Sequence, residues 1–147
     1  MKSSLMLALM IAFVATANAW EWQGIKENMT YDQLIKVVGV PTDVNNLDKT
    51  GCAYVDAIYA VDGYSAVVKF SRCGIDREWK VTALTLTPKS KVVQRSQIIQ
   101  SFGMPTKVGR HDFLGLMEVY ANGAIVKYSF KDDSTVLSIQ FGYEANL

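Results

Sequence analysis

Residues 53–72 read AYVDAIYAVDGYSAVVKFSR. Two runs rich in valine, isoleucine, tyrosine and phenylalanine flank Asp62-Gly63. Such runs are typical of strands, and Asp-Gly favours the two-residue type I′ turn, which needs positive φ at both positions. The stretch therefore predicts a long antiparallel hairpin.

The register of this hairpin follows from its turn. Counting outward from the turn places Asp56 opposite Lys69 and Cys52 opposite Cys73. The cysteine pair falls at a non-hydrogen-bonded position, where Cα atoms approach to about 4.5 Å and a disulfide is possible. These are the only two cysteines in the chain.

A structural disulfide between Cys52 and Cys73 is the prediction that fits an exported chain best. It would close a loop of about twenty residues and contribute about 3 kcal/mol. A redox pair would use a C-x-x-C motif near a helix N-terminus. A zinc site would need further ligands beside His111, the single histidine. We expect no metal and no cofactor.

A second hairpin repeats the pattern around Asn122-Gly123, between FLGLMEVYA and AIVKYSFK. Asn-Gly also favours a type I′ turn, and the same counting places Glu118 opposite Lys127. A further β-rich run closes each copy: KVTALTLT in the first and TVLSIQFGY in the second.

A short helix is predicted before each hairpin. In TYDQLIKVVGVPT, residues 30–42, Thr30 and Gln33 form a capping box, and Gly39 suits a left-handed position that ends the helix. Residues 94–106, QRSQIIQSFGMPT, repeat the G-x-P-T ending with Gly103. Helix-stop chemistry explains this repeat better than a phosphate-binding loop, which would need more glycine.

The predicted fold class is therefore α+β. Two tandem repeats, each of short helices followed by a three-stranded antiparallel meander, would form one curved sheet with helices on one face. The predicted divisions are a signal peptide over residues 1–19, a first repeat over 20–88 and a second over 89–147.

The first nineteen residues carry Lys2, an apolar run and the small-x-small ending ANA. This pattern predicts cleavage before Trp20 and export to the periplasm or the medium. Removing Lys2 leaves 14 basic and 14 acidic residues, so the mature chain is neutral. Such a chain has no electrostatic footprint for nucleic acid and no basic cluster for an anionic membrane. No cysteine follows the apolar run, so no lipid anchor is expected.

The two faces of the first hairpin differ in character. One face carries Val55, Tyr59, Val68 and Phe70, which we expect to pack against the helices. The other face mixes aromatic, aliphatic and charged groups: Tyr54, Asp56, Ile58, Val67, Lys69 and Ser71. This second face is either a solvated sheet face or a protein-binding surface. Two tryptophans beside the predicted cleavage site, Trp20 and Trp22, are either packed onto the domain or exposed for a partner.

Residues 25–30, IKENMT, followed by DQLIKVVGVPT, resemble a motif of small bacterial envelope proteins. The motif is I-x-x-G-M-T-x-x-Q-V-x-x-x-x-G-x-P, found in the SmpA/OmlA lipoproteins and in the tandem-repeat β-lactamase inhibitor proteins. This resemblance implies helices on an antiparallel meander and a concave protein-binding face. It also implies that an aspartate and a tyrosine near the first hairpin tip, Asp62 and Tyr64, enter the active site of a target enzyme.

We therefore expect an exported, non-catalytic protein-binding module whose partner is an envelope protein or exported enzyme. It would act as an inhibitor or immunity protein, or alternatively as an accessory factor in envelope assembly. A small hydrolase or small-ligand carrier is the alternative from another class, and it would need a Ser–His–Asp arrangement or a pocket. The residues expected to bind the partner are Asp62, Tyr64, Tyr54, Asp56, Lys69 and Tyr120.

Overall fold

The structure of the protein is a computed structural model that describes residues 20–49, 52–73, 78–145 and 147. The predicted signal peptide, residues 1–19, lies outside the described residues. Within them, the strands are β1 (Glu21–Trp22), β2 (Ile25–Lys26), β3 (Asp43–Lys49), β4 (Cys52–Val61), β5 (Tyr64–Cys73), β6 (Lys80–Pro88), β7 (Lys107–His111), β8 (Gly115–Val119), β9 (Ile125–Tyr128) and β10 (Val136–Phe141). The helices are α1 (Tyr31–Val38) and α2 (Arg95–Phe102).

Eight of these strands form one antiparallel sheet in the order β3-β4-β5-β6-β10-β9-β8-β7. The prediction of two tandem helix–meander repeats, with helices on one face of the sheet, is wrong. The described residues are mostly β, with two helices of eight residues each. Part of the error lies in β3 and β7, since no strand was predicted between either helix and the hairpin that follows it. Both are polar strands at the edges of the sheet, where strands carry charged residues and lack the apolar alternation of central ones.

The first hairpin has the predicted register. Asp56 pairs with Lys69, and Cys52 pairs with Cys73. Asp62 and Gly63 have φ values of 50° and 78°, as a type I′ turn requires. The disulfide between Cys52 and Cys73 is confirmed, with Cα atoms 4.4 Å apart.

The second hairpin has a different register from the prediction. Glu118 pairs with Val126, and Lys127 pairs with Met117. The turn is a three-residue loop, because Tyr120 N–H donates to the carbonyl of Ala124 (2.9 Å) and only Gly123 has positive φ. A three-residue loop shifts the register by one residue, which turns every side chain of β8 to the opposite face. The predicted Glu118–Lys127 pair is therefore wrong, and Glu118 points into the core.

The helix α1 begins as predicted. Thr30 Oγ1 accepts from Gln33 N–H (3.3 Å), and Gln33 Oε1 accepts from Thr30 N–H (2.9 Å). Gln97 Oε1 accepts from Gln94 N–H (2.8 Å) in the same way at the start of α2. Each amide-bearing side chain satisfies a backbone donor that the first helical turn leaves without a partner.

The glycines that end the helices have positive φ, but their conformation is not the left-handed helical one. Gly39 has φ 83° and ψ −165°, and Gly103 has φ 81° and ψ −167°. This region is nearly restricted to glycine. A Cβ at either position would meet no atom within 4 Å, so any cost of substitution comes from the backbone.

We expect Gly39→Ala and Gly103→Ala each to lower the free energy of unfolding by about 1–3 kcal/mol. Urea denaturation of the two variants would measure the loss. Gly39→Val should cost at least as much as Gly39→Ala, because a β-branched side chain tolerates positive φ less well. Parent-like stability of both alanine variants would contradict the conformational argument.

The core lies on one face of the sheet. From β4 and β5 it takes Ala57, Tyr59, Tyr64, Ala66, Val68 and Phe70, so the predicted inner face is confirmed. Leu34 of α1 and Ile98 of α2 are buried in the same cluster. Trp20 and Trp22 both pack onto it: Trp20 stacks on Phe141 with ring centroids 5.6 Å apart, and Trp22 meets Tyr64 edge-on at 5.9 Å.

Candidate functional site

The outer face of the first hairpin brings together three predicted site residues. Lys69 Nζ lies 3.0 Å from Asp56 Oδ1 and 5.7 Å from the ring centre of Tyr54. Ile58 and Val67 are half-buried neighbours on the same face and pair directly across the hairpin. The face therefore offers a fixed ion pair, an aromatic ring and apolar side chains that a partner could cover.

The tip of the first hairpin presents the carboxylate of Asp62. Its side chain is exposed, and Oδ2 accepts from Gln23 Nε2 (3.3 Å) and Lys91 Nζ (3.4 Å). Lys89 and Ser90 donate backbone N–H groups to the carbonyl of Gly63 (2.9 and 3.2 Å). These contacts hold the tip in place, so Asp62 is presented on a rigid turn.

Tyr64 does not have the exposure that a partner anchor needs. Only 9% of it is accessible, and its ring packs against Trp22 and lies 4.0 Å below Lys91 Nζ. The expectation of an exposed tyrosine at the tip is wrong, because Tyr64 pairs with Val61 and shares the inward face of Ala66, Val68 and Phe70. The Asp62 side chain is therefore exposed at the tip, whereas the Tyr64 side chain lies in the core.

Tyr120 is also a core residue, which corrects its assignment to a partner surface. Its hydroxyl donates to Glu118 Oε2 (2.6 Å) and lies 2.9 Å from the hydroxyl of Tyr128. Burial, followed by the bond to Glu118, raises the pKa of Tyr120 to about 12. Tyr120 is therefore part of a buried polar network that was not predicted from the sequence.

Glu118 is the centre of this network and is 0% exposed. Arg95, the first residue of α2, reaches Glu118 Oε1 with Nε (2.8 Å) and Nη2 (2.5 Å). Burial alone would raise the pKa of Glu118, but hydrogen bonds from Arg95, Tyr120 and Tyr128 outweigh it and hold the pKa below the usual value. The carboxylate is thus ionised at neutral pH and ties α2 to the sheet.

Three further polar residues, His111, Asp132 and Asp133, lie in or beside the turns. His111 is exposed, and its Nδ1 accepts from Phe113 N–H (3.4 Å). Asp132 accepts a hydrogen bond from Thr135 Oγ1 (2.6 Å). This bond is the largest of several that lower the pKa of Asp132 to about 2. Asp133 forms an ion pair with Arg110. These groups stabilise turns, and within the described residues no three potential metal ligands come together.

Three exposed apolar residues were missed by the sequence analysis. Phe113 and Leu114 form the β7–β8 turn, and Phe130 lies in the β9–β10 turn. The sequence does contain a signal for them, because D-F-L-G places two large apolar residues where a turn usually carries polar ones.

Among the described residues, no helix is both long and apolar enough to cross a bilayer. The comparisons with known proteins found no match: no family model, no curated protein and no solved structure is similar to this chain.

Proposed function

We propose that this chain is an exported protein-binding module without catalytic activity of its own. The disulfide is compatible with an oxidising compartment. Together with the predicted signal peptide, it supports a location in the periplasm or outside the cell. The partner we propose is another exported or envelope protein.

The observation that carries the proposal is the composition of the outer face of the first hairpin. Tyr54, Asp56 and Lys69 form a linked cluster there, with Ile58 and Val67 beside it. Interfaces favour rigid aromatic side chains surrounded by groups that exclude water. The cluster is carried by two ten-residue strands closed by a disulfide, so little conformational freedom is lost on binding.

Inhibition of an exported enzyme is the form of this function that we favour. It would rest on Asp62, whose exposed carboxylate lies in the turn at the tip of the same hairpin. The resemblance to tandem-repeat inhibitor proteins suggested this mode. With Tyr64 in the core, the blocking group would be Asp62 and the contact area would come from the outer face.

Affinity capture from a periplasmic extract, with the processed chain as bait, tests the proposal. Val67→Asp and Tyr54→Ala should each weaken capture of the partner at least tenfold, about 1.4 kcal/mol. Gln140→Ala is the matched control, because Gln140 lies in the same row of the sheet, two strands from Val67. A partner retained equally by the parent and both variants would exclude this face as the binding surface.

A further inference from the structure

Three large apolar side chains are exposed in the two turns at one end of the sheet. Phe113 is 87% exposed, Leu114 55% and Phe130 63%. We name these three residues the sheet-end patch. Single exposed apolar residues are ordinary, but a group of them marks a surface that contacts another molecule or a membrane.

The two turns that carry the patch lie side by side. In an antiparallel meander the β7–β8 and β9–β10 connections fall at the same end. Gly115, which follows Leu114, packs against the backbone of Phe130, since a Cβ built on it would be 3.3 Å from Phe130 Cα. The sheet-end patch is therefore one surface made by two loops.

Both turns are held by contacts within the protein. Leu114 N–H donates to the carbonyl of His111 (3.1 Å), and Arg110 pairs with Asp133 across the two turns. Asp132 accepts from Ser134 N–H and Thr135 N–H, both at 2.9 Å. Most of the hydrogen-bonding groups in these contacts therefore have partners within the protein, while the three apolar side chains of the patch are exposed.

The charge around the patch selects the kind of surface that it fits. The turns carry Arg110 and Lys131 against Asp112, Asp132 and Asp133, a slight negative excess. An anionic leaflet would not attract such a surface. A protein pocket would be recognised with directed hydrogen bonds, about one per 100–200 Å² of interface, and these turns use theirs internally. An exposed apolar surface with little net charge suits a neutral lipid bilayer.

We propose that the sheet-end patch docks the protein on zwitterionic phospholipid bilayers, with Phe113 and Leu114 entering the boundary between headgroups and acyl chains. Phe130 lies beside them on the bilayer surface. Docking through the end of the sheet leaves the outer face of the first hairpin available for a protein partner. The inference does not depend on the function proposed above, because it concerns a different surface.

Flotation with phosphatidylcholine/phosphatidylethanolamine vesicles tests this proposal on the processed protein. The parent should float with the vesicles, equally at low and high salt. The double variant Phe113→Ser/Leu114→Ser should bind at least tenfold more weakly, since each apolar side chain removed from water contributes to partition. Both sites are exposed, so its melting temperature should match that of the parent.

Met104→Ser is the matched control. Met104 is 71% exposed, and it lies near the opposite end, since Thr106 N–H bonds to the carbonyl of Val119 at the far end of β8. A second readout is the variant Phe113→Trp, whose indole fluorescence should shift to the blue with vesicles and be quenched by brominated lipid.

The proposal would be overturned if the parent stayed with the soluble fraction, or if Met104→Ser were as impaired as the double variant. Binding that requires phosphatidylglycerol and disappears in salt would also overturn it. So would an indole signal in Phe113→Trp that responds to a protein partner but not to vesicles.

Discussion

Arg95→Met is expected to lower the free energy of unfolding by about 3–5 kcal/mol at neutral pH. The substitution leaves the carboxylate of Glu118, which is 0% exposed, without its cation. The hydroxyls of Tyr120 and Tyr128 would remain, but neutral hydroxyl groups cannot balance a charge in the interior. Urea denaturation at neutral pH would measure the loss.

The reciprocal substitution should cost less. In Glu118→Leu the unpaired group is Arg95, whose side chain is 36% exposed and can turn towards water. We expect a loss of about 1–3 kcal/mol, as for other broken hydrogen bonds. The double variant Arg95→Met/Glu118→Leu should lie closer to the parent than Arg95→Met does, because no buried charge remains. A larger loss in Glu118→Leu than in Arg95→Met would contradict this account.

The pH dependence of stability should change sign in the same series. In the parent, the folded-state pKa of Glu118 is below its ordinary value of 4.5. Its contribution is therefore present above pH 4.5 and lost as the pH falls through the folded-state pKa. In Arg95→Met, burial would no longer be opposed by the guanidinium, and the pKa of Glu118 should rise. The variant should then lose stability as the pH rises from about 5 to 7.

Tyr64→Ala should cost about 3 kcal/mol of folding stability. It removes a ring that packs against Trp22 and lies beneath Lys91 Nζ. Tyr64→Phe is the control, since it keeps the ring and should stay within about 1 kcal/mol of the parent. Thermal and urea unfolding of the two variants would separate these outcomes.

The Tyr64 result also bears on the proposed function. If Tyr64→Ala melted like the parent while binding of a captured partner collapsed, Tyr64 would be a surface anchor and its inward packing would be wrong. If Asp62→Ala weakened binding without affecting unfolding, the exposed carboxylate would be the contacting group. The two residues are neighbours across one glycine, yet they test different properties of the protein.

Local rules predicted the first hairpin because its turn and its strands agree. Asp62-Gly63 selects a two-residue turn, and the alternation of β4 and β5 then fixes which side chains face the core. The same alternation already placed Tyr64 with Ala66 and Val68. The expectation of an exposed tyrosine followed the resemblance to a family rather than this pattern.

The second hairpin shows where local rules stop. Asn122-Gly123 is compatible with two loop lengths, and the choice between them depends on tertiary packing. The longer loop places Glu118 inside, where Arg95 of α2 can reach it. Arg95 is 23 residues from Glu118 in the sequence, and the residues around Asn122 contain no signal for this contact. Edge strands β3 and β7 were missed for a related reason, since each has a neighbouring strand on one side only and lacks the apolar alternation of a central strand.

The position of the disulfide makes its formation depend on the register of the first hairpin. Its ten-residue strands are closed at one end by the turn and at the other by Cys52–Cys73. A slip of one residue would place Cys52 opposite Arg72 or Gly74 and would prevent the bond. The two cysteines can therefore be oxidised to the disulfide only in the native register, and a hairpin in another register stays free to rearrange. The disulfide that holds the candidate binding face thus also fixes the register that places Tyr54, Asp56 and Lys69 on the same face of the hairpin.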